Sequence, residues 1–318
     1  ELHGLIAMRF YVPEIGNYIN SLKGSVSGSR EGDSLAKAGV NLDHLLWNES
    51  VLGYINKEEL LTIDLLPSKL KGGLQRFYEK NILTLHYSTL FDAMFETVDI
   101  SRKILTKNIR GMIFAYFSNL DSMSHKWGYK GIEWKVELDQ INMMIKELDQ
   151  RLRDLKRETG RNIKLIIMSD HGHVELTETI SVDKSKWEET SNSQGIDAYM
   201  SSGRFAFIYL RNNIEPEDVD LDALSSLFEK KVDIIRIEEA LKENFWPSLT
   251  NEYLDRFLSR AGQFIVLPHY GKDITLTGNS KDELMIDDVG DEYRRLRANH
   301  GGLSRDEMIT PFIVKDYD

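Results

Sequence analysis

The stretch that decides the fold class begins with MIFAYF at 112–117 and ends with IKLIIM at 163–168. Both are short continuous apolar runs, which are typical of strands buried on both faces of a sheet. The segment between them predicts an amphipathic helix that ends at Gly160. Its apolar residues recur at steps of four, three, four and three: Ile141, Ile145, Leu148, Leu152 and Leu155. A strand, a crossover helix and a second strand indicate an α/β fold.

Further apolar runs extend this pattern toward the end of the chain: FAFIYL at 205–210, FIVL at 264–267 and ITPFIV at 309–314. We therefore predict a mostly parallel central sheet flanked by helices, within a single catalytic domain over residues 1–318. Residues 214–262 are acidic and helical in pattern, with a strand-like run inside them, and we predict a surface subdomain there. In such sheets, ligands bind at the carboxyl ends of the strands.

Composition excludes several classes of protein. The 318 residues carry 40 Lys and Arg against 51 Asp and Glu, a net charge of −11, with no long basic block. We therefore expect no surface for nucleic acid, because phosphate backbones repel an acidic chain. No apolar run approaches a membrane span and no signal peptide is visible, so we expect no membrane partner. The absence of cysteine favours a reducing compartment, and we expect a cytoplasmic protein.

Metal-binding side chains follow or precede three of the predicted strands. Asp121 and His125 come four residues apart after the first strand, and Asp170 and His171 directly follow the second. His300 lies in a glycine-rich loop before the last strand. Carboxylate and imidazole are ligands suited to zinc or manganese, and this set is too large for one tetrahedral ion. The pattern predicts a two-metal site, which suits phosphoryl transfer.

The motifs together resemble a known family. YFSNLDSMSHKWG at 116–128, IMSDHGH at 167–173 and NHGGLSRDEMITPFIV at 299–314 are similar to the metal motifs of the alkaline phosphatase superfamily. The branch they resemble is the type I phosphodiesterase and nucleotide pyrophosphatase family. The resemblance implies an alkaline phosphatase-like fold and hydrolysis of a phosphodiester or pyrophosphate bond in a small phosphorylated substrate such as a nucleotide.

The resemblance also implies roles for individual residues. Asp121, His125 and His300 would hold one ion, and Asp170 and His171 would hold the second. The family's remaining ligands are an Asp after the first strand and the Ser or Thr nucleophile, both upstream of a His-Gly dipeptide that is similar to His3-Gly4. We therefore expect the nucleophile upstream of Glu1, and the first strand to be missing from these residues.

Other interpretations remain open at this stage. His173 either packs under its loop or hydrogen-bonds the substrate phosphate, and we predict the second role. A phosphomonoesterase or a phosphonate hydrolase of the same superfamily is an alternative activity. A non-catalytic, metal-stabilised fragment without the nucleophile is an alternative of another class.

Overall fold

The computed structural model describes residues 7–21, 23–29, 31–41, 45, 55, 60–70, 82–246, 251–277 and 296–318. Its strands are β1 (Arg9–Val12), β2 (Asn17–Asn20), β3 (Ser25–Val26), β4 (Leu61–Pro67), β5 (Leu83–Tyr87), β6 (Gly111–Ala115), β7 (Ile163–Met168), β8 (Val174–Glu175), β9 (Glu178–Asp183), β10 (Ile196–Ser202), β11 (Phe205–Leu210), β12 (Val232–Arg236), β13 (Phe264–Pro268), β14 (Lys272–Thr277), β15 (Ala298–Asn299) and β16 (Phe312–Tyr317). Its helices are α1 (Ser34–Lys37), α2 (Leu90–Thr106), α3 (Asn119–Trp127), α4 (Ile132–Thr159), α5 (Lys184–Ser193), α6 (Leu221–Leu227), α7 (Ile237–Lys242), α8 (Asn251–Arg260) and α9 (Arg305–Met308).

The chain divides into two compact units. The first unit contains His171–Met308 and the described residues up to 45. The second unit contains the described residues from 55 to Asp170, together with Ile309–Asp318. None of the described helices is long and apolar enough to cross a membrane.

The second unit is built on a parallel sheet in the order β5-β4-β6, packed with helices, which confirms the α/β class. The helix predicted before Gly160 is α4. Its stripe is confirmed as the packing face: Ile141, Leu152 and Leu155 are buried, while Ile145 and Leu148 pack against the same clusters. Gly160 ends the helix in a left-handed conformation, as its lack of a side chain allows.

Two apolar runs of the second unit differ from the prediction of fully buried strands. β7, which is IKLIIM, pairs antiparallel with β16, and Met168 is 59% exposed. No residue of MIFAYF is fully buried either. An apolar run shows that a strand can be buried, but burial also requires a layer that covers it. The last strand begins at Phe312 instead of residue 309, because Pro311 has no N–H to donate to the ladder.

The first unit contains a four-stranded sheet in the order β10-β11-β13-β12. Every residue of β13 is buried, and so is every residue of β11 except Phe205. These two strands pair antiparallel and not parallel as their sequences suggested, because an apolar run reports burial and not strand direction. Segment 214–262 contributes β12, which pairs with β13 in this sheet. The predicted domain boundaries stay a prediction.

Candidate metal centre

In the second unit, Asp121 and His125 lie on one face of α3. The helix begins at Asn119, four residues after β6 ends, so its first turn presents Asp121 just beyond the sheet. Residues four apart on a helix are neighbours, and His125 Nε2 lies 3.1 Å from Asp121 Oδ1. Both side chains are about 30% exposed, at 26% and 32%. The pair is therefore held by local helix geometry at a position that solvent can reach.

Tyr116 is a site residue that sequence reasoning did not single out. Burial, together with the negative charges of Asp170 and Asp121, raises the pKa of its hydroxyl to about 12. Tyr116 is therefore protonated at neutral pH. Asp170 directly follows β7 and is exposed. Both predicted carboxylate ligands thus act on one phenol within the second unit.

In the first unit, a short ladder brings two predicted site loops together. β8 pairs antiparallel with β15, and Val174 lies opposite Asn299. His173 precedes the first of these strands and His300 follows the second, so the pairing sets the two histidines side by side. This ladder of two residue pairs therefore joins Val174 and Asn299, which are more than 120 positions apart in the sequence.

Three imidazoles form a cluster at this ladder. The rings of His171 and His300 are stacked with centroids 3.6 Å apart and an angle of 10° between their planes. His173 meets them edge-on, at 5.1 Å from His171 and 5.2 Å from His300. One ring nitrogen of each histidine lies within 4.8 Å of one from each of the others. Neutral imidazoles in this arrangement are suited to binding a divalent cation.

One hydrogen bond supports the metal-binding form of His171. Its Nδ1 lies 3.0 Å from the carbonyl oxygen of Gly172, which can only accept. Nδ1 must therefore carry the proton, and Nε2 keeps its lone pair. Metal-binding histidines commonly donate their second nitrogen to a carbonyl in this way. The donor types and this tautomer fit a zinc or manganese ion.

Glycine is required at two places in these loops. A Cβ on Gly172 would lie 2.0 Å from the carbonyl oxygen of Asp306, so the two loops approach too closely for any side chain. Gly301 has a φ of 105°, which residues with a side chain rarely adopt. The structure assigns close approach to Gly172 and the unusual φ to Gly301.

The outcome for the predicted site residues is therefore as follows. The structure brings His171, His173 and His300 together in the first unit, and Asp121 with His125 in the second. Asp170 acts with Asp121 on Tyr116. The division of these residues between two ions, and the role of His173, stay predictions. His3-Gly4 lies outside the described residues.

Comparisons with known proteins agree with the site's chemistry. The family model described as type I phosphodiesterase / nucleotide pyrophosphatase matches residues 1–302. No curated protein sequence matches the chain at a comparable level.

The solved structures show the fold. Murine ectonucleotide pyrophosphatase / phosphodiesterase 5 is similar with a TM-score of 0.63 and 14% identity, covering 99% of this chain and 72% of that one. The human protein is similar with a TM-score of 0.60 and 13% identity, covering 99% of this chain and 72% of that one. Phosphonoacetate hydrolase from Sinorhizobium meliloti is similar with a TM-score of 0.58 and 15% identity, covering 98% of this chain and 74% of that one. The family match over residues 1–302 places this chain in the type I phosphodiesterase / nucleotide pyrophosphatase family, whose members are hydrolytic phosphoesterases.

Proposed function

We propose that this protein hydrolyses a phosphodiester or pyrophosphate bond through a two-metal site. Asp121, His125 and His300 hold one divalent ion, and Asp170 and His171 hold the second. The ions are zinc, with manganese as the alternative. The observation that carries the proposal is the convergence of three imidazoles, two of them assigned as ligands, within the first unit.

The donor set suits this chemistry. The carboxylates of Asp121 and Asp170 supply negative charge, and the imidazoles supply neutral nitrogen donors. When bound, two such ions stabilise the attacking and leaving oxygens of a phosphoryl transfer. His173 hydrogen-bonds a phosphate oxygen of the substrate. Tyr116 can donate a hydrogen bond at neutral pH, because its pKa is about 12.

The proposed substrate is a small phosphorylated molecule such as a nucleotide, and not a nucleic acid. One similar structure is an inactive variant of the murine phosphodiesterase in complex with AMP, which is consistent with a nucleotide ligand. A net charge of −11 disfavours a polyanionic substrate that covers a large surface. A cytoplasmic location remains part of the proposal.

An assay with the full-length protein tests the activity. The protein is stripped of metal with a chelator, reloaded with zinc or manganese, and offered p-nitrophenyl thymidine 5′-phosphate and p-nitrophenyl phosphate. We expect metal-dependent turnover of the diester that exceeds turnover of the monoester. Asp121→Asn should abolish it. Asp99→Asn is the matched control, because Asp99 also contacts a side chain four residues along a helix in the second unit, but that side chain is the Lys103 ammonium. Equal loss of activity in both variants would contradict the assignment.

A second candidate is a phosphonate hydrolase, favoured by the likeness to phosphonoacetate hydrolase at a TM-score of 0.58. Release of inorganic phosphate from phosphonoacetate, without turnover of the diester, would establish this alternative. If the metal-loaded protein cleaves neither the diester nor phosphonoacetate, both proposed activities are contradicted.

A further inference from the structure

A buried ion pair lies beneath the imidazole cluster in the first unit. The guanidinium of Arg204 donates through Nη1 to the carboxylate of Glu307, and both side chains are only 1% exposed. The two residues are 103 positions apart. Nothing in the sequence motifs or in the proposed metal chemistry uses Arg204.

Glu307 contacts both loops that carry the clustered histidines. Its Oε1 accepts from the backbone N–H of Gly302 at 2.8 Å, two residues after His300. Its carbonyl oxygen accepts from the N–H of Gly172 at 2.8 Å, between His171 and His173. Ser304 Oγ donates to the same carboxylate at 2.6 Å. One glutamate therefore fixes the spacing between the two loops.

Arg204 contacts the His300 loop through its backbone, and its side chain ties Glu307 to the neighbouring segment 268–272. Its backbone N–H donates to the carbonyl oxygen of His300 at 2.8 Å. Its guanidinium donates to the carbonyl oxygens of Lys272 at 3.0 Å, His269 at 2.8 Å and Pro268 at 3.1 Å. The planar guanidinium matches these directions with fixed geometry, which a lysine ammonium cannot reproduce.

Stability alone does not account for this pair. Removing two charges from water is costly, and apolar residues of similar volume often replace a buried ion pair without loss of stability. The pair also leaves no spare volume, because a Cβ on Gly302 would lie 2.6 Å from Arg204 Nη1. What an apolar pair could not supply is the bond from the Gly302 N–H to Glu307 in the His300 loop, and the guanidinium bonds that hold Glu307 against segment 268–272.

We propose that Arg204 and Glu307 are positioning residues that hold His171 and His300 in a metal-binding arrangement. The inference rests on the proposed function for the identity of the ligand, a divalent cation. Supporting residues of this kind typically change metal affinity by roughly 10- to 100-fold when they are substituted.

The test compares Arg204→Lys with Arg260→Lys in the full-length protein. Arg260 is a matched control in the first unit: it is fully buried, and it donates to the carbonyl oxygen of Leu45 at 2.6 Å and to Glu14 at 2.8 Å. Zinc titration calorimetry gives the affinity, and ¹H–¹⁵N spectra of the imidazoles without metal give the ring environments. Thermal unfolding reports stability for each variant.

We expect both substitutions to lower the melting temperature. Only Arg204→Lys should weaken zinc binding, by roughly 10- to 100-fold, and shift the ring signals of His171 and His300. Unchanged affinity and spectra in Arg204→Lys, or equal losses in both variants, would overturn the inference. Glu307→Gln gives the same comparison if Arg204→Lys does not fold. If the wild type binds no zinc, the proposed function fails, and the metal-free spectra alone decide whether the pair positions the rings.

Discussion

The two sets of predicted ligands are held by different forces. Asp121 and His125 in the second unit are four residues apart on one helix, and their side chains are partly exposed. His171 and His300 in the first unit are brought together by a two-residue ladder and a fully buried ion pair that joins positions 103 apart. Substitution of an exposed ligand should therefore remove function and spare stability. Substitution around the imidazoles should affect both.

The largest expected effect is on Asp170, which is exposed at the end of β7. Asp170→Ala in the full-length protein should lower diesterase turnover by at least about 1,000-fold, about 4 kcal/mol, because it removes a charged metal ligand. Its free energy of unfolding should change by less than about 0.5 kcal/mol, as is usual for surface substitutions. Steady-state kinetics and urea unfolding check the two values. Near wild-type turnover would mean that Asp170 binds no catalytic ion.

The opposite behaviour is expected at Gly172 in the first unit. Gly172→Ala would place a Cβ 2.0 Å from the backbone oxygen of Asp306, so the loop must shift. We expect a loss of about 2–3 kcal/mol of unfolding free energy, together with weaker zinc binding. Gly32→Ala is the control, because a Cβ there meets only the Lys23 oxygen at 3.8 Å. If Gly172→Ala lowers zinc affinity without lowering stability, the contrast is wrong. Substitution around the imidazoles would then spare stability, as it does at an exposed ligand.

His173 tests whether every member of the imidazole cluster is a ligand. Because His173 is proposed to bind the substrate phosphate, His173→Ala should reduce kcat/KM by roughly 10- to 100-fold, about 1.4 to 2.8 kcal/mol, without loss of metal. Metal content and kinetics are measured on the same sample. Loss of metal would make His173 a ligand, which its position within 4.8 Å of the other ring nitrogens also allows.

The smallest effect concerns a long-range polar contact in the second unit. Lys315 and Tyr317 on β16 donate to Asp149 on α4, and they hold the pKa of its carboxyl at about 2. Because this pKa is lowered in the folded state, the ionised carboxyl stabilises the fold at pH values above its ordinary pKa of 3.8. The stabilisation is lost as the pH falls toward 2. Asp149→Asn should cost about 1 kcal/mol at pH 7 and progressively less between pH 4 and pH 2.

Urea unfolding across that pH range measures the difference. Asp154→Asn is the control on the same helix, since Asp154 pairs with Arg157 and accepts from Gln150, both of which are α4 residues. A constant difference between wild type and Asp149→Asn at all pH values would contradict the assigned cause.

The sequence predicted the local features of the fold and site well. The apolar stripe of α4 predicted its packing face, and Gly160 marked its end. Two strands, at 163–168 and 205–210, begin and end where their apolar runs do. The spacing of Asp121 and His125 marked them as a candidate pair beyond the first strand, but the helix that puts both on one face was not predicted. Each of the predicted features depends on neighbours within a few residues.

Features that depend on distant residues were not predictable in the same way. Strand direction in the first unit depends on which strands pair, and an apolar run carries no information about that. Arg204 gives no signal in its own segment, because its partners come from residues 268–307 and only the folded chain brings them together. Tyr116 was part of a quoted motif, but its relation to Asp170 depends on two separate strand ends.

The central claim is that this protein holds two catalytic divalent ions, and the number of bound ions per chain tests it most directly. The full-length protein is loaded with zinc, freed of excess by gel filtration and measured by inductively coupled plasma mass spectrometry, alongside His300→Ala and the control His269→Ala. His269 belongs to the same unit and lies near Asp233, at 3.5 Å. The account predicts two zinc ions per chain in the wild type and in His269→Ala, and fewer in His300→Ala. One ion or none in the wild type, or an unchanged content of two in His300→Ala, would contradict it.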